Sequence, residues 1–149
     1  MNNSKLTFKK ITTPNEMSYA FIIRKDVFIK EQNVDVDLEI DGEDDKANQY
    51  LLLEGDKPVG TLRVFLDLKT RSAHIGRVAI IKDKRKLGYG KFMMNKIINI
   101  LKENYSPLRI EVESQLKVRK FYESLGFIPV SEEIIMDAGI EHIQMYLNV

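Results

Sequence analysis

A chain of 149 residues has room for one hydrophobic core, and with 44% hydrophobic and 30% charged residues it is composed to fold rather than to stay disordered. Lys plus Arg number 23 against 22 Asp plus Glu, a formal net charge of +1, so a surface wholly given over to nucleic acid is excluded and any anion site must be local. With no cysteine there is no disulfide, thiolate metal site or cysteine nucleophile.

The N-terminal stretch "MNNSKLTFKKITTPNEM" lacks the apolar segment of a secretion signal, and no apolar run reaches the roughly 18 residues a membrane span needs. The expectation is a cytoplasmic protein with no membrane or nucleic-acid partner. "KLTFKKI" alternates as a half-buried strand. Thr13, Pro14 and Glu16 then form a capping-box start for a helix running to about Lys30. The acidic stretch "EQNVDVDLEIDGEDDKA" reads as irregular. Two strands follow, "NQYLLLE" and "KPVGTLRVFLDL", joined by the turn "GDKP", and then "RSAHIGRVAII", apolar enough at its end to be central. From Gly90 a helix carries Met93, Met94, Ile97, Ile98 and Leu101 on one face. "PLRIEVES" is a strand, "QLKVRKFYESLG" a short helix ended by Gly126, and "FIPVSEE" and "IEHIQMYLNV" the last strands. No linker or repeat divides the chain, so residues 1–149 read as one α+β domain. The strand–helix–strand unit in its middle implies a parallel pair.

Between the central strand and the long helix lies "RKLGYGK", Arg85 to Lys91. It is neither a dinucleotide fingerprint, since Met93 stands where a third glycine is needed, nor a P-loop. Glycines there admit close backbone approach, and the amides of a helix start suit a phosphate. Either the stretch is a solvated turn, or it seats an anion. In "KFYESLGF", Phe121 and Leu125 fall on the core face, while Tyr122 projects about 100° away and need not be buried with them. Its phenol either donates a proton to a leaving thiolate or packs at the core edge with the hydroxyl in water. Arg24 and Arg77 interrupt apolar registers, which costs free energy unless an acidic partner (Glu31, Glu111 or Glu113) or a substrate compensates. Asp37, Glu39, Asp41 and Gly42 imitate a calcium loop, but Glu39 and Asn48 occupy the third and twelfth positions wrongly, so no metal is expected.

The order strand, R-x-x-G-x-G, helix, strand, "FYESLGF" resembles the GNAT N-acetyltransferase superfamily. "RKDVFIKEQ", "HIGRVAII" and "AGIEHIQMY" are similar to a small-molecule subfamily with a C-terminal GIxHxxM stretch, so the likeness runs from about Arg24 to Tyr146. The resemblance implies a mixed, mostly antiparallel sheet of six to seven strands, about four helices, and a parallel strand pair around an acetyl-CoA site. It places the pantetheine arm along Val78, Ala79 and Ile80. It places the pyrophosphate on the amides of Arg85, Lys86, Leu87, Gly88, Tyr89, Gly90 and Lys91. It makes Tyr122 the acid toward the departing thiolate and His142 the base, although Glu141 stands where such relatives usually carry Pro before the histidine; Glu111 or Glu113 acting through water is the alternative base. It turns Arg24 and Arg77 toward an acceptor bearing a carboxylate or phosphate. His74 is read as structural.

The implied activity is direct transfer of an acetyl group from acetyl-CoA to an amine, most simply a small molecule. A protein or peptide amine as acceptor, a non-catalytic acyl-CoA-binding regulatory module, and an unrelated interaction domain remain open. The sequence neither indicates nor excludes a homodimer.

Overall fold

The computed structural model describes residues 5–149; the polar N-terminal stretch discussed above begins on residues 1–4, outside the described residues. Strand β1 (Leu6–Lys10) leads into helix α1 (Pro14–Arg24). The expected capping box is present: the Thr13 hydroxyl accepts from the Glu16 amide, and the Glu16 carboxylate accepts from the Thr13 amide. The helix continues beyond Arg24 as a π-helix over Lys25–Glu31, so the helical stretch reaches the expected end with a changed hydrogen-bond spacing. The acidic segment is more ordered than its composition implies, with a short helix α2 (Val36–Glu39) capped by Asp35 and a 3-10 turn over Asp44–Lys46.

Strands β2 (Asn48–Glu54), β3 (Lys57–Asp67) and β4 (Ser72–Ile80) form an antiparallel meander. Helix α3 (Tyr89–Tyr105) returns the chain to β5 (Arg109–Gln115), which lies parallel to β4. Helix α4 (Arg119–Ser124) follows, then β6 (Ile128–Pro129), β7 (Ile135–Asp137) and β8 (Ile140–Asn148). The sheet runs β1-β2-β3-β4-β5-β8-β6, with β7 also on β8. It is therefore mostly antiparallel with one parallel pair and eight strands, against the six to seven expected. The extra strand arises because "FIPVSEE" pairs only through Ile128–Pro129, while Ile135–Asp137 forms a separate hairpin with β8. No described helix is long and apolar enough to cross a membrane.

The predicted stripe of α3 is buried against β3, β4 and β5: Met93, Met94 and Ile97 are fully enclosed with Leu62, Ile75 and Ile110. Each such side chain contributes roughly 1.5–3 kcal/mol. The other face of the sheet is covered by Ala20, Ile23 and Val27, packed on Leu51 and Ala79.

One irregularity in β4 shapes everything that follows. Thr61 pairs with Ala79 and Arg63 with Gly76, so Arg77 and Val78 together stand opposite Leu62 as a β-bulge, with Arg77 at φ 50°. On its other edge β4 pairs with β5 only from Ser72–Arg109 to Ile75–Val112. Beyond the bulge the two parallel strands part, while β5 keeps its pairing with β8 as far as Gln115–His142.

Candidate active site

The parting of β4 and β5 opens a cavity of about 740 Å³, within the range of small-molecule and cofactor sites. One wall is β4 from His74 to Ile80 with Arg85 beyond it; the opposite wall carries Glu113, Tyr122, Asp137 and His142. Alternation explains the second wall. Ile110, Val112 and Ser114 of β5 point into the core, which turns Glu113 and Gln115 to the other face. The β5–β8 register sets His142 directly opposite Gln115, on that same face, with Ile143 buried behind.

Tyr122, whose burial the sequence left open, is buried, and Phe121, expected on the core face, is the less enclosed of the two. In a helix of six residues adjacent side chains lie on either flank of one face, and Tyr122 takes the flank that lines the cavity. Its ring packs edge-on to Phe121 at 5.2 Å and to Phe127 at 5.8 Å. Burial pushes its pKa to about 12, so the phenol holds its proton throughout the neutral range.

Glu113 is the acid of the site that is pushed toward its neutral form. Burial first, then a hydrogen bond and charge repulsion from Asp137, push its pKa up to about 7, against a weaker opposing pull from Arg77. Its Oε1 atom is enclosed without a hydrogen-bond partner. The Nδ1 of His142 lies 2.7 Å from the Ile140 carbonyl; a carbonyl only accepts, so Nδ1 carries the hydrogen and a neutral ring keeps its Nε2 lone pair. The side-chain oxygen or nitrogen atoms of Glu113, Asp137 and His142 lie within 4.8 Å of one another. His74 is half-buried in the β4 wall, and burial lowers its pKa, keeping the ring neutral.

The arginines take a form the sequence only half anticipates. Arg24 is fully buried and absent from the cavity wall; it bonds Glu39 through Nε and Nη2 (3.0–3.1 Å) and Asp44 through Nη1 at 2.8 Å. Arg77 does reach the wall, but its Nε donates to Glu39 at 2.7 Å and its Nη2 to Asp41 at 3.3 Å. Arg63 completes the network, bonding Asp41 at 2.7 Å and Asp44 at 3.0 Å. The ion pairs are thus made with the acidic segment rather than with Glu31, Glu111 or Glu113. Arg63 interrupts the apolar strand "TLRVFL" just as Arg77 interrupts its own, a signal that sequence reasoning passed over.

At the other end of the cavity, Arg85 donates through Nε to the Ile80 carbonyl at 2.9 Å and forms a two-point pair with Glu31 at 2.7 and 2.8 Å. The next six residues lie past the cavity wall. Lys86 and Gly88 adopt left-handed φ values of 63° and 82°, and Gly88 is the residue before α3. The first intrahelical bond runs from the Phe92 amide to the Gly88 carbonyl. The amides of Gly90 and Lys91 therefore have no acceptor within the helix. Lys86, Leu87 and Lys91 are exposed, whereas Tyr89 turns into the core and its hydroxyl bonds Glu54.

A parallel strand pair parting beside a glycine turn and a helix start is the arrangement that the resemblance to the GNAT superfamily leads one to expect. The sequence matches the family described as "Acetyltransferase (GNAT) domain" over residues 12–149, and the chain belongs to that family. It is 31% identical over 139 residues to the uncharacterized N-acetyltransferase YjcF of Bacillus subtilis, covering 92% of this chain and 97% of that one. Protein ElaA of Escherichia coli is 30% identical over 135 residues, with coverage of 88% and 87%. The crystal structure of ElaA superposes with a TM-score of 0.84 at 25% identity, across 95% of this chain and 99% of that one. A Bacillus subtilis acetyltransferase solved in complex with CoA shares the fold at a TM-score of 0.72 and 18% identity, over 97% and 99%.

Proposed function

We propose that residues 1–149 act as one domain that transfers the acetyl group of acetyl-CoA to the amine of a small molecule, by direct attack in a ternary complex. The observation that carries this is the cavity where β4 and β5 part, with strand backbone on one side and two kinds of proton-transfer group on the other. The coenzyme-bound structure of the Bacillus subtilis relative supports acetyl-CoA as the donor.

The polypeptide supplies binding first. The pyrophosphate sits on the amides of Gly90 and Lys91 at the start of α3, where the helix dipole is positive. Lys86 and Lys91 add charge there, since neither has an ion pair among the described residues. The pantetheine arm lies along Val78, Ala79 and Ile80, whose edge toward β5 is unpaired beyond the bulge. A backbone N–H of that edge stabilises the oxyanion that forms when nitrogen attacks the thioester carbon. Glu113 and His142 are the candidate bases for the ammonium, and Tyr122 holds a proton for the departing sulfur. Arg77 and Arg24 act on the acceptor side by holding Glu39 and Asp41 in place. No step calls for a metal.

Thiol release from acetyl-CoA in the presence of small primary amines tests this reading, with no protein cysteine to confuse the signal. Amine-dependent release, unchanged after treatment with a chelator, is expected. A protein that binds acetyl-CoA but never releases thiol with any amine is a regulatory module instead.

A further inference from the structure

The guanidinium groups that would draw an anionic acceptor are already spent inside the protein. Arg24, Arg63 and Arg77 face three carboxylates, Glu39, Asp41 and Asp44, and each guanidinium bonds at least one of them at 3.0 Å or less. Three positive charges are therefore cancelled by three negative ones before any substrate arrives. Glu113 and Asp137 stand beside this network, on the cavity wall, with no ion pair of their own among the described residues. The cation whose field reaches Glu113 is Arg77, which is committed to Glu39 and Asp41.

Asp137 is held there by topology. It ends β7 and is followed by Ala138 and Gly139, both in left-handed conformations (φ 52° and 76°), which turn the chain back into β8. β8 is in turn registered on β5 with Glu113 opposite Gln144. The hairpin thus folds one acid onto another inside a cavity, which is unfavourable for the free protein. It is relieved when a cation enters. The Oε1 of Glu113, enclosed and without a partner, leaves that carboxylate without a compensating donor from the protein.

We propose that the acceptor is a cationic amine with no carboxylate near the reacting nitrogen, bound and deprotonated by the Glu113–Asp137 pair. This rests on the acetyl-transfer reading above and names its second substrate. The ammonium passes one proton to Glu113, and the N–H bond breaks as the carboxyl O–H forms. The free amine bonds to the acetyl carbon and the C–S bond breaks, with Tyr122 protonating the sulfur. The second proton lost by nitrogen replaces the one Tyr122 gave up, and the proton on Glu113 leaves to water. One proton is released per turnover, as the overall reaction requires. The groups facing Glu113 are Arg77 from β4, Asp137 from β7 and His142 from β8, with Glu39 and Asp41 behind Arg77. Because its pKa stands near 7 in the free protein, kcat/KM rises with pH through that value.

The test compares three acceptors of similar size: butylamine, 1,4-diaminobutane and 4-aminobutyrate. Butylamine and the diamine are expected to be acetylated with kcat/KM at least about 10-fold above 4-aminobutyrate. Glu113→Gln should lower kcat/KM by about 100-fold and abolish the acidic limb of the pH profile, while still binding acetyl-CoA. Asp137→Asn should raise the KM for the amine by about 10-fold and shift that limb to lower pH, because it removes one member of the binding pair and the negative charge that raises Glu113. A carboxyl titration followed by NMR gives a readout independent of turnover: butylamine added to the coenzyme-saturated protein lowers the Glu113 midpoint. Preference for 4-aminobutyrate, or a pH limb that survives Glu113→Gln and is lost in His142→Ala, would overturn the proposal. Acetyl-CoA that binds while no amine shifts the Glu113 titration overturns the acceptor assignment alone, whereas acetyl-CoA that fails to bind overturns the transferase reading itself.

Discussion

Tyr122→Phe is expected to lower kcat by about 100-fold or more while leaving acetyl-CoA affinity and thermal stability nearly unchanged. The substitution removes one oxygen from a ring whose packing against Phe121 and Phe127 does not involve it. Among the described residues, no hydrogen bond is made to or from this hydroxyl, so none is lost within the protein. A phenol with a pKa of about 12 is a weak acid toward a thiolate in water, whose conjugate acid lies near ~8.5. Inside the cavity the departing sulfur is desolvated by the same walls, and burial raises its proton affinity with the same sign. The proton is therefore drawn to sulfur only as charge develops there, which is where a general acid is useful. Thiol-release kinetics measure the effect. An unchanged kcat would remove Tyr122 from the mechanism.

Arg24→Ala is expected to cost about 3–5 kcal/mol of stability, a fall of roughly 10 °C or more in the melting temperature of a chain this size. The guanidinium is fully buried, and its loss leaves Glu39, itself 3% exposed, with Arg77 as the one remaining guanidinium bonded to it. A buried carboxylate stripped of a partner is among the most costly single defects. Replacing both members, Arg24→Met with Glu39→Met, should recover much of the loss, because two apolar groups need no compensation. The same network sets an acid limit. Burial pushes the Asp44 carboxyl up, but bonds from Arg24 and Arg63 outweigh it and hold its pKa below the ordinary value. A depressed carboxyl contributes stability that is present above its unfolded pKa, near ~3.9, and lost as pH falls through the folded value. Melting curves of wild type and Arg24→Ala should therefore converge below about pH 4. Equal melting temperatures at pH 7 would contradict the assignment.

The parts of the molecule legible in the sequence are those governed by local period. Thr13 and Glu16 announce a helix start, and the stripe from Met93 to Leu101 announces the core face of α3. The glycine turn between a buried strand and that helix announces the place proposed for the coenzyme's pyrophosphate. Arg24 and Arg77 announce that something acidic must meet them, yet not what. Their partners come from the segment Glu39 to Asp44, whose path depends on α2 and a 3-10 turn rather than on any repeating pattern. Asp137 carries no signal beyond the tight turn after it. It meets Glu113 only through the pairing of β7 with β8 and of β8 with β5. Tyr122 and Phe121 differ by one position in a helix of six residues, too short for period alone to decide which faces the cavity.

A calorimetric titration with acetyl-CoA tests most directly whether the gap between β4 and β5 is a coenzyme site. Saturable binding is predicted, weakened at least about 10-fold, or ~1.4 kcal/mol, by Gly88→Val, since Gly88 holds φ 82° at the start of α3 and a β-branched residue resists that conformation. Absence of heat at several temperatures together with no thermal stabilisation by the coenzyme would contradict it. So would undiminished affinity in a folded Gly88→Val protein, which would leave "RKLGYGK" as an ordinary turn.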